Sequence, residues 1–243
     1  MGDPTTTETG QRDPRSTILE VRRDRDWDLR FYSRIAPVYE LWAALAESKA
    51  RGRVLEVAGV SDGEAVLEVA VGTGKQLAAL ARRNPTGRTV GVELADGMLA
   101  TARRRLARAS LDRVELRRAD ALALTFESES FDLVVNSYML DLLPRDHIPR
   151  ALAEFRRVLR PGGRLALSNM TKGERPRHRL FDTLYAHGLP LIANCRGVLA
   201  APVLRELGFV EVRREYLTQL LFPTEIVTAR KPDGELAERE AKR

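Results

Sequence analysis

The run Val66-Leu67-Glu68-Val69-Ala70-Val71-Gly72-Thr73-Gly74 leads from an apolar stretch into a glycine-rich turn, and helical periodicity begins at Lys75. Glycines at 72 and 74 let the backbone approach a ligand closely at the carboxyl end of a strand, where open α/β sheets bind their ligands. A tight turn without a ligand would use the same residues. Glu93 closes a second apolar run twenty-one residues after Gly72, a spacing at which a carboxylate can accept hydrogen bonds from both hydroxyls of a ribose. A dinucleotide fingerprint needs a small residue three positions beyond Gly74, but Leu77 stands there; Gln76 after Lys75 likewise excludes a P-loop. The chemistry left is that of a nucleoside without phosphates, with Glu68 as an acceptor for a cationic ligand.

These residues need strands and helices to position them. Five short apolar runs, Ala65–Val71, Thr89–Leu94, Val114–Arg118, Phe131–Asn136 and Arg164–Ser168, alternate with helical periodicity at Lys75–Arg83, Asp96–Ala109 and Arg145–Leu159. That alternation predicts parallel strands with crossover helices, an open, doubly wound α/β sheet. Two further strand-like runs, Phe209–Leu221 and Thr224–Lys231, are separated only by Phe222-Pro223, so they should be antiparallel. Ahead of the sheet, residues 27–60 form a helical cap, with Ile35, Val38, Tyr39, Trp42 and Leu45 on one stripe and a bend at Pro37. Residues 1–26 read as a flexible tail and 232–243 as a charged one, which leaves a core over 61–231 with a lid insertion at 171–198.

Composition narrows the classes. The chain has 243 residues, 44% hydrophobic and 30% charged, as expected of a globular protein with a sizeable core. Its net charge is +6, yet only five of its 40 basic residues are lysine. The cations are spread along the chain among acids, unlike the clustered cations and aromatics of a nucleic-acid binder. A single cysteine, Cys195, rules out an internal disulfide and suits a reducing, cytoplasmic setting. No apolar targeting segment stands in the first 17 residues, and no apolar run approaches the length needed to span a bilayer.

The residues from Glu68 to Gly74 resemble the first motif of class I S-adenosylmethionine-dependent methyltransferases. The resemblance continues through Gly91-Val92-Glu93, Ala119-Asp120-Ala121, Phe131-Asp132-Leu133-Val134 and Arg157-Val158-Leu159-Arg160-Pro161-Gly162-Gly163, in the family's order. Ala70 and Val71 depart mildly from the usual small residues. The resemblance implies a Rossmann-like seven-stranded sheet, mostly parallel with its last strand antiparallel. It implies S-adenosyl-L-methionine as cofactor, with Gly72 and Gly74 along the methionine portion, Ala70 also at the cofactor and Glu93 on the ribose. Leu94 and Met98 would pack on the adenine, Asp120 and Ala121 would meet its amino edge, and Asn136 would face the methionine or the reacting centre. No metal is implied. The residues also admit plainer readings: Glu93 as a solvated strand end, Asp120 as the cap of a turn, Asn136 as a loop tie, and Arg160–Gly163 as a structural turn before the fifth strand.

Phe31-Tyr32-Ser33-Arg34-Ile35-Ala36-Pro37-Val38-Tyr39 is similar to the N-terminal helix of small-molecule methyltransferases, including quinone and phospholipid ones. Tyr32 or Tyr39 could close over a sulfonium, or simply pack. Two quinone-branch signatures are absent: Glu40-Leu41-Trp42 follows Tyr39, and Asn169-Met170-Thr171 ends the fifth strand. The resemblance is therefore to the superfamily, and the expected acceptor is a small or lipidic quinone, phenol or amine. A non-catalytic cofactor-binding protein is the alternative. Methyl transfer depends mainly on alignment and exclusion of water, and a base is needed only where the acceptor must lose a proton. Tyr138 and Asp141, just after the fourth strand, are the catalytic candidates, ahead of His147, His178 and His187. Arg196 in the lid is a candidate substrate contact. Lys172–Arg179 could attract an anionic substrate or membrane surface, or be a wet face.

Overall fold

A computed structural model describes residues 48–171, 197–219 and 222–233. The tail 1–26, nearly all of the cap before Ser48, most of the lid insertion and the end of the C-terminal tail lie outside the described residues. Helix α1 (Ser48–Ala58) is followed by β1 (Ala65–Val69), α2 (Lys75–Arg83), β2 (Arg88–Glu93), α3 (Asp96–Arg108) and β3 (Glu115–Arg118). Then come β4 (Phe131–Ser137), a 3-10 turn (Leu140–Leu142), α4 (His147–Val158), β5 (Leu159–Met170), α5 (Ala200–Glu206), β6 (Val210–Gln219) and β7 (Phe222–Arg230). They build one seven-stranded sheet in the order β3-β2-β1-β4-β5-β7-β6. All pairs from β3 to β5 are parallel, and β7 runs antiparallel to both β5 and β6.

Both faces of the sheet are apolar because both are covered. One face packs Leu133, Val135, Ala166 and Ile226 against Ala50 and Val54 of α1. The other packs Leu67, Val134 and Leu165 against Leu152 and Phe155 of α4 and Leu204 of α5. A third cluster joins Leu77 of α2 to Ala102 and Leu106 of α3, with Val71 between them. Buried polar ties fix the strand starts: the Ala65 N–H donates to Asp132 Oδ2 at 2.8 Å, and Arg164 reaches both oxygens of Glu64 at 2.8 and 2.9 Å.

Several boundaries differ from the sequence pattern for local reasons. Strand β1 stops at Val69 because Ala70 is left-handed at φ 58°, which turns the chain out of the sheet. Strand β5 begins at Leu159, not Arg164. Arg160–Gly163 is thus a bulge within it, held where the Gly162 N–H donates to the Lys231 carbonyl and the Lys231 N–H to the Gly163 carbonyl, both at 2.9 Å. Pro223, expected in the turn between the last strands, instead lies inside β7 opposite Thr218. No described helix is long and apolar enough to cross a membrane.

Gly91, in the middle of β2, has no room for a side chain: a Cβ there would overlap Leu77 and lie 2.8 Å from Val71 Cγ1. Gly91→Ala should therefore lower stability by about 1–3 kcal/mol through overpacking. Urea unfolding of the two proteins measures this, and an unchanged midpoint would show that the α2–sheet contact yields freely.

Candidate active site

The carboxyl ends of β1, β2 and β4 open into one cavity. Its floor is the loop after β1, where Ala70, Gly72 and Gly74 all have positive φ, at 58°, 54° and 76°. Glu93 ends β2 beside this loop, only 8% exposed. Its Oε2 accepts the Gly72 N–H at 2.8 Å, and its Oε1 accepts the Leu94 and Ala95 N–H groups at 2.9 Å each. Burial pushes the Glu93 pKa up from its ordinary value, and the three N–H bonds oppose that shift. The carboxylate thus locks together the two loops that flank the cavity.

Glu68 lies in the cavity wall at 2% exposure, and its Oε2 has no hydrogen-bond partner. Burial pushes its pKa well above the usual carboxylate range; Arg51 of α1 pulls it back and the Glu93 charge adds to the rise. Gln76, 4% exposed, accepts the Ser137 hydroxyl at 3.0 Å on Oε1, while its Nε2 also lacks a partner. One wall therefore presents an unsatisfied acceptor, an unsatisfied donor and the guanidinium of Arg51. Such atoms are costly to bury unpaired, and a ligand end carrying both an ammonium and a carboxylate would satisfy them.

The apolar part of the lining is Leu94, Met98, Met139, Leu142 and Leu143, and Ala119, Asp120 and Ala121 also line the cavity. Asp120 Oδ1 accepts the Leu122 N–H at 2.9 Å, so it caps a turn and lines the cavity at once. Tyr138 also lines the cavity; its φ is 54°, and its hydroxyl lies 3.3 Å from Thr224 Oγ1.

Four of the expected residues stand elsewhere. Gly74 does not line the cavity; a Cβ there would lie 2.9 Å from Ala102 Cβ, so the glycine serves the approach of α3. Asn136 is fully buried beneath the wall, donating from Nδ2 to the Val69 carbonyl at 2.8 Å, which ties β4 to β1. Asp141 is buried in the 3-10 turn behind the wall, and His147 is also outside it. Tyr32, Tyr39, His178, His187, Cys195, Arg196 and the Lys172–Arg179 segment lie outside the described residues. Sequence reasoning missed Arg51, Gln76, Ser137, Met139, Leu142 and Leu143. The apolar run Met139–Leu143 after β4 was a usable signal; Arg51 carried none. Among the described residues no group of His, Cys, Asp or Glu could hold a metal ion.

The profile of a family described as "Methyltransferase domain" matches residues 66–163. A demethylmenaquinone methyltransferase from Staphylococcus aureus is 35% identical over 162 residues, which is 66% of this chain and 64% of that protein. The chain thus matches just under two thirds of that relative's length. Among solved structures, the [4+2]-cyclase SpnF superposes with a TM-score of 0.64 at 23% identity, covering 76% of this chain and 82% of that one. The phosphoethanolamine N-methyltransferase 2 of Haemonchus contortus, solved with S-adenosylhomocysteine, gives 0.61 at 17%, covering 76% and 53%. At those identities the structural likeness establishes the fold alone.

The buried Glu68 sets a pH signature. A carboxyl whose folded pKa is raised contributes stability that is full below its ordinary pKa and lost as pH rises through the raised one. Stability should accordingly fall as pH rises above the ordinary carboxylate range, and Glu68→Gln should flatten that fall and raise the melting temperature at pH 8. Thermal melts at pH 5 to 8 measure both, and a variant less stable than its parent at every pH would show that Glu68 is held by partners in the fold.

Proposed function

We propose that the chain, whose residues 66–163 match the family described as "Methyltransferase domain", is a class I S-adenosylmethionine-dependent methyltransferase, and that it methylates a small, quinone-type acceptor. The observation that carries the reading is the Glu93 carboxylate, hydrogen-bonded to Gly72 at 2.8 Å across the base of the cavity. The acceptor class is supported by the 35% identity to a demethylmenaquinone methyltransferase. Residues 1–26 and 232–243 are tails in this reading, and residues 171–198 are an insertion in the methyltransferase core.

The residues present fit S-adenosylmethionine. Glu93 retains lone pairs for the ribose hydroxyls beyond the three it gives to backbone N–H groups. Leu94 and Met98 flank the adenine, with Asp120 and Ala121 at its amino edge. Gly72 and Ala70 line the methionine portion. Glu68 accepts the ammonium, and Gln76 and Arg51 donate to the carboxylate. When bound, the cofactor would supply an electrophilic methyl group on sulfur for transfer to an electron pair of the acceptor.

The chain's own work is to orient and to exclude water. Fixing both loop ends through Glu93 holds the nucleoside, so the methyl group has one position relative to the sheet. Met139, Leu142 and Leu143 keep that wall dry. Tyr138 lines the cavity, and its hydroxyl would hold an acceptor proton or share a hydrogen bond with the acceptor. The geometry favours Tyr138 over Asp141, which is behind the wall. Lys172–Arg179 would draw an anionic or membrane-held acceptor toward the site.

A second reading, a cofactor-binding protein without methyl transfer, is favoured by one finding: a protein of this fold is described as a cyclase. Calorimetry with S-adenosylhomocysteine tests the shared premise. Glu93→Gln should weaken binding about 10- to 100-fold, as expected for disturbed hydrogen bonds to a charged group. Wild-type protein that is folded and binds nothing would sink both readings. Binding without turnover on quinols, phenols or amines would select the second.

A further inference from the structure

The glycine-rich loop is held from outside as well as by Glu93. Arg105, half-buried in the last turn of α3, donates from Nε to the Thr73 carbonyl at 2.9 Å. Ala102, one turn earlier on the same face of α3, is the residue against which Gly74 packs without a Cβ. Thr73 itself is 7% exposed, so the contact is sheltered from water. The rest of the loop is tied by its own backbone: Val71 N–H to the Val92 carbonyl at 3.1 Å, and Gly74 N–H to the Val71 carbonyl at 2.9 Å. Arg105 is the side chain from α3 that grips the peptide between the two glycines.

We propose that Arg105 is a positioning residue: it fixes the Gly72-Thr73-Gly74 peptides and thereby the affinity for the amino-acid end of the cofactor, without touching the cofactor. The inference rests on the assignment of that loop to the methionine portion. Three physical points carry it. Loops with three positive-φ residues in five have little intrinsic preference for one conformation. A charge-assisted hydrogen bond to a carbonyl is among the stronger ties available to hold one. The planar guanidinium fixes the direction of its N–H, which a lysine ammonium does not. Arg103 and Arg108 on the same helix face solvent, so neither can substitute.

The discriminating ligands are S-adenosylhomocysteine and 5′-methylthioadenosine, which share the nucleoside and differ in the amino-acid tail. Calorimetry on wild type, Arg105→Met and Arg105→Lys is the experiment. Arg105→Met should weaken S-adenosylhomocysteine about tenfold, the effect of losing one hydrogen bond from a charged group, and leave 5′-methylthioadenosine within about twofold. Arg105→Lys should fall between. Equal losses for both ligands would make Arg105 a support of the whole fold, and no loss for either would mean the loop holds its shape unaided; both overturn the proposal. Amide hydrogen exchange over residues 70–76 of the ligand-free proteins gives a readout that needs no binding. Faster exchange in Arg105→Met supports the proposal, and unchanged exchange overturns it. Wild-type protein that binds neither ligand would refute the cofactor assignment instead, while the exchange comparison still tests the grip on Thr73.

Discussion

The site is organised around a carboxylate that the fold has surrounded with backbone donors. Glu93 sits at the end of β2 with its two oxygens shared among Gly72, Leu94 and Ala95. Burying a charge is costly unless hydrogen bonds replace its water, and three short N–H contacts do that here. The same bonds determine how two loops leave the sheet. The turn after β1 cannot drift from the start of α3 without stripping Glu93 of its partners. Helix α3 then reaches back to the first loop through Ala102 and Arg105. The cavity floor is a closed circuit of β1 loop, Glu93, α3 and β1 loop again, which makes its shape a property of the fold and not of a ligand.

Three buried carboxylates at this edge of the sheet show how environment separates structural groups from ligand-facing ones. Glu225, fully buried in β7, has a raised pKa from burial but accepts the Ala200 N–H at 2.9 Å and the Arg214 Nε–H at 2.6 Å. It joins β7, β6 and the start of α5, at the base of the insertion. Glu93 has a similar complement from backbone alone. Glu68 differs: its Oε2 has no partner, and burial pushes its pKa well above the usual carboxylate range. A group left in that state at a cavity wall is a reasonable place for a cation, and the pairing of Glu68 with the unsatisfied donor of Gln76 gives the wall a polarity that matches a zwitterion.

The order of strands and helices was legible because its signals are local. Apolar runs alternating with helical stripes place β1 to β5 and α2, α3 and α4 within a few residues, and the Gly72–Glu93 spacing marks the cavity. What stayed hidden depends on packing between distant segments. Gly74 is explained by Ala102, twenty-eight residues away, so its role looked like that of Gly72. Arg105 is indistinguishable from Arg103 and Arg104 in an arginine run; only the register of α3 on the loop separates them. Arg51 lies on a helix whose position over the sheet no motif records. The bulge at Arg160–Gly163 forms because Lys231 returns beside it at the end of β7, a long-range pairing that a turn signal alone does not contain.

A cyclase and an N-methyltransferase superpose on this chain almost equally well, so the fold does not determine the reaction. The cavity lining beyond β4 begins at Tyr138. A bulky aromatic residue at φ 54° is a conformation that ordinary turns avoid, and it persists here because its N–H donates to the Ser168 carbonyl at 2.8 Å and its hydroxyl meets Thr224. The bend aims residues 138–143 back over the cavity, where Met139, Leu142 and Leu143 close it. Strain held in place by surrounding structure is a mark of a position that function constrains. At Tyr138 the constraint comes from Ser168 of β5 and Thr224 of β7, strands that supply none of the cavity lining themselves.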